Sequence, residues 1–281
     1  MMRPYVVVNG EMLEGDRPVM DLDNRAYHYG DGLFESIRVI AGRPLFLDAH
    51  WARLTAGMNV LCIDRPVLLD RGSLSAYIEG LVERTGILSG RVRLTVYRDA
   101  AGHYRPEGNA GGFTIELKPL PHDGFVLNDH GYQVDIYPDM RKPVHALSVH
   151  KTLNCQYSIM AALWSQERGL DECLLQNERG NIIESSSGNL FIVSNGVLYT
   201  PALSDGCVGG VMRMQVINIA IAHGMKVYEC SLNPQNLLAA DELFFTNAIR
   251  GIQWAAAYRT KRYAHRQSQH LVELLGERAI G

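Results

Sequence analysis

The chain has 281 residues, and its 27 lysines and arginines nearly balance its 30 aspartates and glutamates, which gives a formal net charge of −3. This balance excludes a protein that binds nucleic acid mainly by neutralising phosphates. Apolar residues make up 47% and charged residues 20% of the sequence, the composition of a folded rather than a disordered chain. The length suffices for one large or two small domains.

The first third of the chain predicts hairpins and helices. Tyr5–Asn9 is an apolar run that ends in the turn dipeptide Asn9-Gly10, which predicts a first hairpin. Phe34–Ile40 and Pro44–Leu47 predict a second hairpin. Asp48 is expected to cap a helix with apolar residues at helical spacing. The remaining predictions here are a helix over 68–84 and strands over 91–97 and 113–117.

The second half predicts more hairpins and three helices. Helices are predicted over 155–168, 211–223 and 234–240. Strands are predicted over 173–176, 182–183, 190–193, 197–199, 226–229 and 243–245. Because hairpins replace a strict alternation of strand and helix, the sequence predicts the α+β fold class.

A segment rich in proline and glycine divides these two parts. Lys118–Gly124 contains two prolines and ends in glycine, and both residue types interrupt helices and strands. We therefore expect a small N-terminal domain over 1–118, a linker over 119–124 and a larger C-terminal domain over 125–281.

The cysteines and histidines predict neither a disulfide framework nor a metal site. The five cysteines are odd in number and contain no CxxC pair, which favours free thiols in a reducing compartment. The ten histidines show no metal-ligand spacing. With no apolar run of signal-peptide or membrane-span length, we expect a cytoplasmic protein.

Lys151 stands apart from the other four lysines. It is the only formally charged residue between Val144 and Gln166. Apolar surroundings favour the neutral amine, which is the form that a Schiff-base lysine requires. Local composition alone favours a simpler interpretation, a lysine whose stem packs at a strand end while its ammonium group reaches solvent.

Glu184 and the glycine-rich segment Gly206–Arg213 are further candidates. Glu184 ends an apolar strand before three serines, so it either pairs with a buried cation or lies in water beside turn-forming serines. Gly206–Arg213 opens a long helix, and accessible amides at a helix N-terminus suit a phosphate. A flexible loop leading into a helix explains that spacing equally well.

Two arginines are candidates for anion recognition. Arg53 lies one helical turn after His50, where its guanidinium is suited to close a phosphate site, although a surface charge fits too. Arg98 ends a strand and enters a loop, where it faces either a substrate carboxylate or solvent.

Six motifs in this order resemble the class IV aminotransferase-like enzymes, the fold-type IV group that uses pyridoxal 5′-phosphate. The resemblance covers the chain from Val6 to about Ala255. The motifs are Asp23–Ala26 leading into Tyr29–Glu35; His50–Leu54; Lys151–Asn154; Glu184–Phe191; Gly210–Arg213; and Asp241–Ala248. It implies a two-domain fold like that of D-amino-acid aminotransferases, with the cofactor at the domain interface, and a homodimer.

The resemblance also implies roles for individual residues. Lys151 matches the lysine that forms the Schiff base with the cofactor, and Glu184 matches the carboxylate that faces the pyridine nitrogen. The other cofactor-side matches are Arg53, Val211, Met212, Asn247 and Ala248 at the phosphate and Val208 at the ring. The substrate-side matches are Tyr29, Phe34 and Arg98.

The choice of reaction depends on two loops. Arg98–Gly102 and Thr246–Ala248 resemble loops of aminodeoxychorismate lyases, and Lys151–Asn154 resembles the segment shared by these lyases and D-amino-acid transaminases. The resemblance thus favours release of pyruvate from 4-amino-4-deoxychorismate to give 4-aminobenzoate. The alternative is a transaminase for branched-chain or D-amino acids. More remote alternatives are a non-catalytic vitamin B6-binding protein and a serine hydrolase using Ser185–Ser187, which lacks a GxSxG motif.

Overall fold

A computed structural model describes residues 5–15 and 19–280. The chain forms two compact units, one of Met1–Asp123 with His150–Asn154 and one of Gly124–Val149 with Cys155–Gly281. The first boundary between the units lies between Asp123 and Gly124, within the predicted linker, 119–124. One short segment differs from the predicted domain assignment, because His150–Asn154 packs with the first unit.

One six-stranded sheet and three helices make up the described part of the first unit. The strands are β1 (Tyr5–Val8), β2 (Glu11–Glu14), β3 (Gly32–Ile40), β4 (Arg43–Pro44), β5 (Gly90–Arg98) and β6 (Gly111–Pro119). Their order in the sheet is β2-β1-β6-β5-β3-β4. The helices are α1 (Arg25–Tyr29), α2 (Leu47–Val60) and α3 (Arg71–Thr85).

The predicted hairpins are present in this sheet, with one correction at the start of α2. Asn9 and Gly10 have φ of 48° and 93°, the left-handed pair that a two-residue hairpin turn needs. The second hairpin is shorter than predicted, because Leu47 already belongs to α2. Phe46, with φ of 53°, is the N-cap, so Asp48 lies inside the first turn, where it pairs with Arg71 at 2.7 Å. The prediction of Asp48 as the cap was therefore wrong.

The second unit is built on a nine-stranded mixed sheet. The strands are β7 (Tyr132–Lys142), β8 (Glu172–Asn177), β9 (Ile182–Ser185), β10 (Asn189–Ser194), β11 (Val197–Pro201), β12 (Val227–Cys230), β13 (Glu242–Asn247), β14 (Gly251–Tyr258) and β15 (Lys261–Arg262). Their main order in the sheet is β12-β11-β10-β13-β14-β7-β8-β9, and β15 pairs with β14. The helices are α4 (Gln156–Glu167), α5 (Val211–Ala222), α6 (Pro234–Ala239) and α7 (Arg266–Ile280).

Buried apolar side chains from the centre of this sheet form the core of the second unit. Phe191 on β10 and Phe244 on β13 are fully buried and stack with ring centroids 5.1 Å apart. Strands buried on both faces read as continuous apolar runs, which is how these two strands read in the sequence. Among the described residues, no helix is long and apolar enough to cross a membrane.

Candidate active site

The segment that carries Lys151 extends the sheet of the first unit at the start of β3. Phe34 N–H donates to Lys151 O at 3.0 Å, and Leu153 N–H donates to Gly32 O at 3.0 Å. The β4 strand pairs only with the far end of β3, so this end has an edge for the lysine segment to join. Lys151 Nζ lies 4.3 Å from the ring centroid of Phe34, a cation–π distance. The predicted lysine and one predicted substrate-side residue are therefore neighbours.

Arg53 is held by a buried carboxylate one residue after Phe34. Arg53 Nε lies 2.8 Å from Oε1 of Glu35 and its Nη2 lies 2.5 Å from Oε2. Nδ1 of His50 lies 2.6 Å from Oε2, and Nε2 of His50 is buried with no hydrogen-bond partner among the described residues. Such a bidentate pair fixes the plane of the guanidinium.

The charges around Glu35 shift two pKa values. Burial alone raises the pKa of Glu35, but Arg53 and the hydrogen bonds from His50 and Arg53 outweigh it and hold the pKa at about 2. Burial and the positive charge of Arg53 lower the pKa of His150, the residue before Lys151. The lysine segment is thus within electrostatic reach of Arg53.

The other predicted substrate-side residues, Tyr29 and Arg98, belong to a separate cluster around Asp31. Nε of Arg98 and Nε of Arg25 both donate to Oδ2 of Asp31, at 3.0 and 2.8 Å. The remaining bonds of Arg98 reach Leu61 O, Cys62 O and Asn109 Oδ1, at 2.6 to 2.8 Å. Arg98 is only 6% exposed, so most of its donors are used inside the protein.

Tyr29 lies at the edge of a cavity in this cluster. The cavity has a volume of about 270 Å³ and is lined by Arg25, Tyr29, Asp31, Arg98, Tyr104 and Pro106. Arg25 Nη1 donates to the carbonyls of Gly102 and His103, which fixes the loop that carries Tyr104. Two arginines beside one aspartate give this cavity a net positive lining.

Glu184 is a buried carboxylate on β9 in the second unit. Its Oε1 lies 2.8 Å from Nζ of Lys142, and its Oε2 accepts the N–H of Val208 at 2.8 Å. The structure therefore links Glu184 to Val208, the residue predicted at the cofactor ring. Lys142 was not predicted to take part.

Asn189 connects Val208 to the N-terminus of α5. Its Nδ2 donates to Val208 O at 2.7 Å, and its Oδ1 lies where a Cβ on Gly210 would come within 1.8 Å. Gly210 is the N-cap of α5 and, as a glycine, has no side chain to cap this terminus. The amides of Val211 and Met212 thus begin a helix whose first N–H groups have no intrahelical partner.

Asn247 ends β13 and Ala248 follows it, beside the start of β10. Asn189 pairs with Thr246 across the two strands, and a Cβ on Gly188 would meet Thr246 O at 2.6 Å. Asn247 Oδ1 accepts the N–H groups of Ile249 and Arg250, at 3.0 and 2.8 Å, which fixes the turn around Ala248. Oγ1 of Thr246 is buried without a partner among the described residues.

Sequence reasoning missed a second buried carboxylate that shapes the serine loop. Glu172 accepts hydrogen bonds from the hydroxyls of Ser186 and Ser187 and from the N–H of Cys173. These bonds use two of the serines as loop supports. No group of three or more potential metal ligands occurs in the described part of the chain.

Residues 32–258 match the family model of the class IV aminotransferases, described as "Amino-transferase class IV". This match covers most of the chain and includes every predicted site residue except Tyr29. The chain therefore belongs to the class IV aminotransferase family.

Three curated relatives illustrate the range of activities in this family. A provisionally named branched-chain-amino-acid aminotransferase of Methanocaldococcus jannaschii is 31% identical, with 88% of this chain and 85% of that protein covered. The D-alanine aminotransferase of Bacillus licheniformis is 28% identical, and the match covers 86% of this chain and 84% of that protein. The aminodeoxychorismate lyase of Vibrio harveyi is 27% identical, and the match covers 82% of this chain and 84% of that protein.

A solved structure has the same fold. The branched-chain aminotransferase of Thermoproteus uzoniensis, determined with norvaline, superposes with a TM-score of 0.88 at 26% identity, covering 96% of this chain and 93% of that one. The protein is thus a fold-type IV enzyme that depends on pyridoxal 5′-phosphate.

The groups in the second unit fit this cofactor. Lys142 occupies one acceptor position on Oε1 of Glu184, and Val208 N–H occupies one on Oε2. Because a carboxylate has about four acceptor positions, Glu184 can accept a further hydrogen bond from the cofactor ring. The uncapped N-terminus of α5 and the unpartnered hydroxyl of Thr246 are donors for a phosphate.

Proposed function

We propose that Lys151, Arg53, Glu184, Val208, Val211, Met212, Asn247 and Ala248 serve one pyridoxal phosphate molecule. The observation that supports this most strongly is the direct hydrogen bond between Val208 N–H and Glu184, which couples two residues predicted from separate motifs. Arg53, the α5 amides and the turn at Ala248 would hold the cofactor's phosphate. When bound, the cofactor supplies an electron sink for charge that develops on the substrate's α-carbon.

In this function the protein's own residues take the substrate's α-proton and stabilise the positive charge of the cofactor's ring nitrogen. Lys151 would hold the cofactor through its amine and would take the substrate's α-proton on Nζ as a general base. Glu184 would hold the ring nitrogen in its protonated form, which would keep the sink effective. Arg53, fixed by Glu35, orients the phosphate and with it the ring.

We propose further that the reaction is release of pyruvate from 4-amino-4-deoxychorismate, which gives 4-aminobenzoate. Support comes from the resemblance of two loops, Arg98–Gly102 and Thr246–Ala248, to loops of these lyases, and from the similarity to the lyase of Vibrio harveyi.

The second candidate is an amino-acid transaminase. It is favoured by the higher identity to the aminotransferases of Methanocaldococcus jannaschii and Bacillus licheniformis. In this reaction Lys151 would take the same α-proton and deliver it back within the site, and no leaving group would be expelled. Tyr29, Phe34 and Arg98 remain the predicted substrate-side residues in both candidates.

Two assays on one preparation separate these candidates. The first measures 4-aminobenzoate formation from aminodeoxychorismate, and the second measures conversion of the cofactor to pyridoxamine phosphate with leucine or D-alanine. Rapid 4-aminobenzoate formation is the expected result. Rapid pyridoxamine formation with no 4-aminobenzoate would establish the transaminase instead.

We also propose that the protein works as a homodimer, as the family resemblance implies. α4 exposes three large apolar side chains, Ile159, Met160 and Leu163. Light scattering coupled to size-exclusion chromatography should give about twice the 31.3 kDa chain mass. A monomer at all concentrations would contradict it.

A further inference from the structure

Lys142 and Glu184 form an ion pair largely removed from solvent. The side chains are 14% and 8% exposed, and Nζ lies 2.8 Å from Oε1. Water and salt screen such a pair much less than an exposed one. Removing one partner leaves the other charge buried and unpaired, which is costly.

The backbone pairing of β7 and a second contact of the ammonium group both hold Lys142 next to Glu184. It is the last residue of β7, where it pairs with Asn177 on β8, and the neighbouring strand β9 carries Glu184 opposite Leu175. Nζ of Lys142 also donates to Ser148 O at 3.3 Å. The lysine thus reaches the carboxylate across one intervening strand.

The turn that follows Lys142 is itself hydrogen-bonded. Ser148 Oγ donates to Pro143 O at 3.1 Å, and His145 N–H donates to Ser148 Oγ at 3.0 Å. The carbonyl of Ser148 that accepts from Lys142 is therefore part of an ordered turn. This turn leaves few alternative positions for the ammonium group.

We propose that Lys142 is a positioning residue for the cofactor and acts through Glu184. The ammonium group holds Oε1 while Val208 N–H holds Oε2, so the plane of the carboxylate is fixed before the cofactor arrives. The acceptor positions that remain are then oriented for a ring nitrogen. This inference rests on the proposed role of Glu184 toward the pyridine nitrogen.

The chemistry of the pair explains why a lysine suits this role. A single ammonium group neutralises the buried carboxylate through one contact, and acceptor positions stay available on the two oxygens. The carboxylate can then accept a further hydrogen bond. Loss of Lys142 should let the carboxylate rotate and should weaken cofactor binding.

The test is a double-variant cycle read out as cofactor affinity. Pyridoxal phosphate is titrated into apoprotein of the wild type, Lys142→Met, Glu184→Gln and the double variant, and Kd is taken from quenching of tryptophan fluorescence. Lys142→Met should weaken binding by ~10-fold or more, the size typical of lost outer partners of a ligand group. In the Glu184→Gln background the same substitution should change Kd by less than ~3-fold, since its effect passes through Glu184.

Two further variants distinguish a specific effect on the Glu184 carboxylate from a general loss of structure. Lys142→Arg keeps the positive charge and should restore most of the affinity that Lys142→Met loses. Lys118→Met removes an exposed lysine, 76% exposed and 3.5 Å from Glu116, and should leave Kd unchanged. If Lys142→Met does not fold, the double variant, which has no unpaired carboxylate, should fold and bind within ~3-fold of Glu184→Gln.

Several results would overturn the inference. Wild-type affinity in Lys142→Met, or an equal loss in both backgrounds, would show that Lys142 does not act through Glu184. A double variant that fails to fold along with Lys142→Met would show a purely structural lysine. Wild-type protein that binds no pyridoxal phosphate would instead overturn the proposed function, and this inference with it.

Discussion

Arg53 and Glu35 form a bidentate ion pair, with Nε 2.8 Å from Oε1 and Nη2 2.5 Å from Oε2. Glu35 is 1% exposed and lies on β3, whereas Arg53 lies on α2, so the pair joins the sheet to the helix. The same pair orients the guanidinium that we assign to the cofactor phosphate. Stability and cofactor binding should therefore depend on one carboxylate.

Glu35→Gln should destabilise the protein by about 3–5 kcal/mol, since it leaves Arg53 partly buried without its counter-charge. The free energy of unfolding in urea measures this loss. Glu116→Gln, on an exposed and more distant pair with Lys118, is the matched control and should change stability by less than ~1 kcal/mol. Equal effects of the two substitutions would contradict the role of Glu35.

The low pKa of Glu35 also predicts how stability changes with pH. Its pKa falls from an ordinary 4.5 to about 2 on folding, so the stabilisation is present above pH 4.5 and is lost as the pH falls toward 2. Across this acid range the wild type should lose more stability than Glu35→Gln does. If the unfolding free energies of the wild type and Glu35→Gln changed in parallel with pH, the ion pair of Glu35 would not be the source of the acid sensitivity.

Lys151→Ala should abolish turnover while some cofactor binding survives, because the phosphate contacts come from other segments. Turnover and the amount of cofactor retained after gel filtration are measured on the same sample. Lys226→Ala, at a residue with no assigned role, is the control. Turnover near the wild-type rate in Lys151→Ala would remove the lysine from its assigned role.

Glu184→Gln should lower kcat and kcat/KM together while the cofactor stays attached. A neutral amide cannot stabilise a protonated ring nitrogen, and that interaction matters most in the transition state. Steady-state kinetics on the loaded enzyme measure both constants. Unchanged constants would place Glu184 outside the catalytic machinery.

Gly210→Ala should weaken cofactor binding strongly, because the added Cβ would lie 1.8 Å from Asn189 Oδ1. The backbone of Gly210, with φ of −67° and ψ of 133°, is open to alanine, so the clash alone is responsible. Kd for pyridoxal phosphate measures the loss, and adding Asn189→Ala should recover part of it. Gly276→Ala, where a Cβ meets nothing within 4 Å, is the control, and tolerance of Gly210→Ala would show that this loop is not fixed as described.

Local signals explain which parts of the fold could be predicted. Turn dipeptides and alternating strands act over a few residues, so the first hairpin and most strands agree with the sequence. β7 was not predicted because Pro138 interrupts it and its register shifts between Ile136 and Arg141. α7 was not predicted, although its buried Leu271, Val272 and Leu275 follow helical spacing.

The site residues also differ in whether a local sequence signal could identify them. Lys151 and Glu184 stand out by their chemistry within their own segments. Lys142 does not, because it meets Glu184 across 42 residues of chain. Glu35 had a readable signal, since it shares the alternating positions of buried Leu33 and Ile37 on β3.

The lysine that carries the cofactor can be identified directly. Borohydride reduction of the purified enzyme makes the lysine–cofactor linkage permanent, and peptide mass spectrometry then identifies the modified residue among the five lysines. We predict a pyridoxyl group on Lys151 and on no other lysine. An unmodified Lys151, or a pyridoxyl group on one of the other four lysines instead, would show that Lys151 does not bind the cofactor.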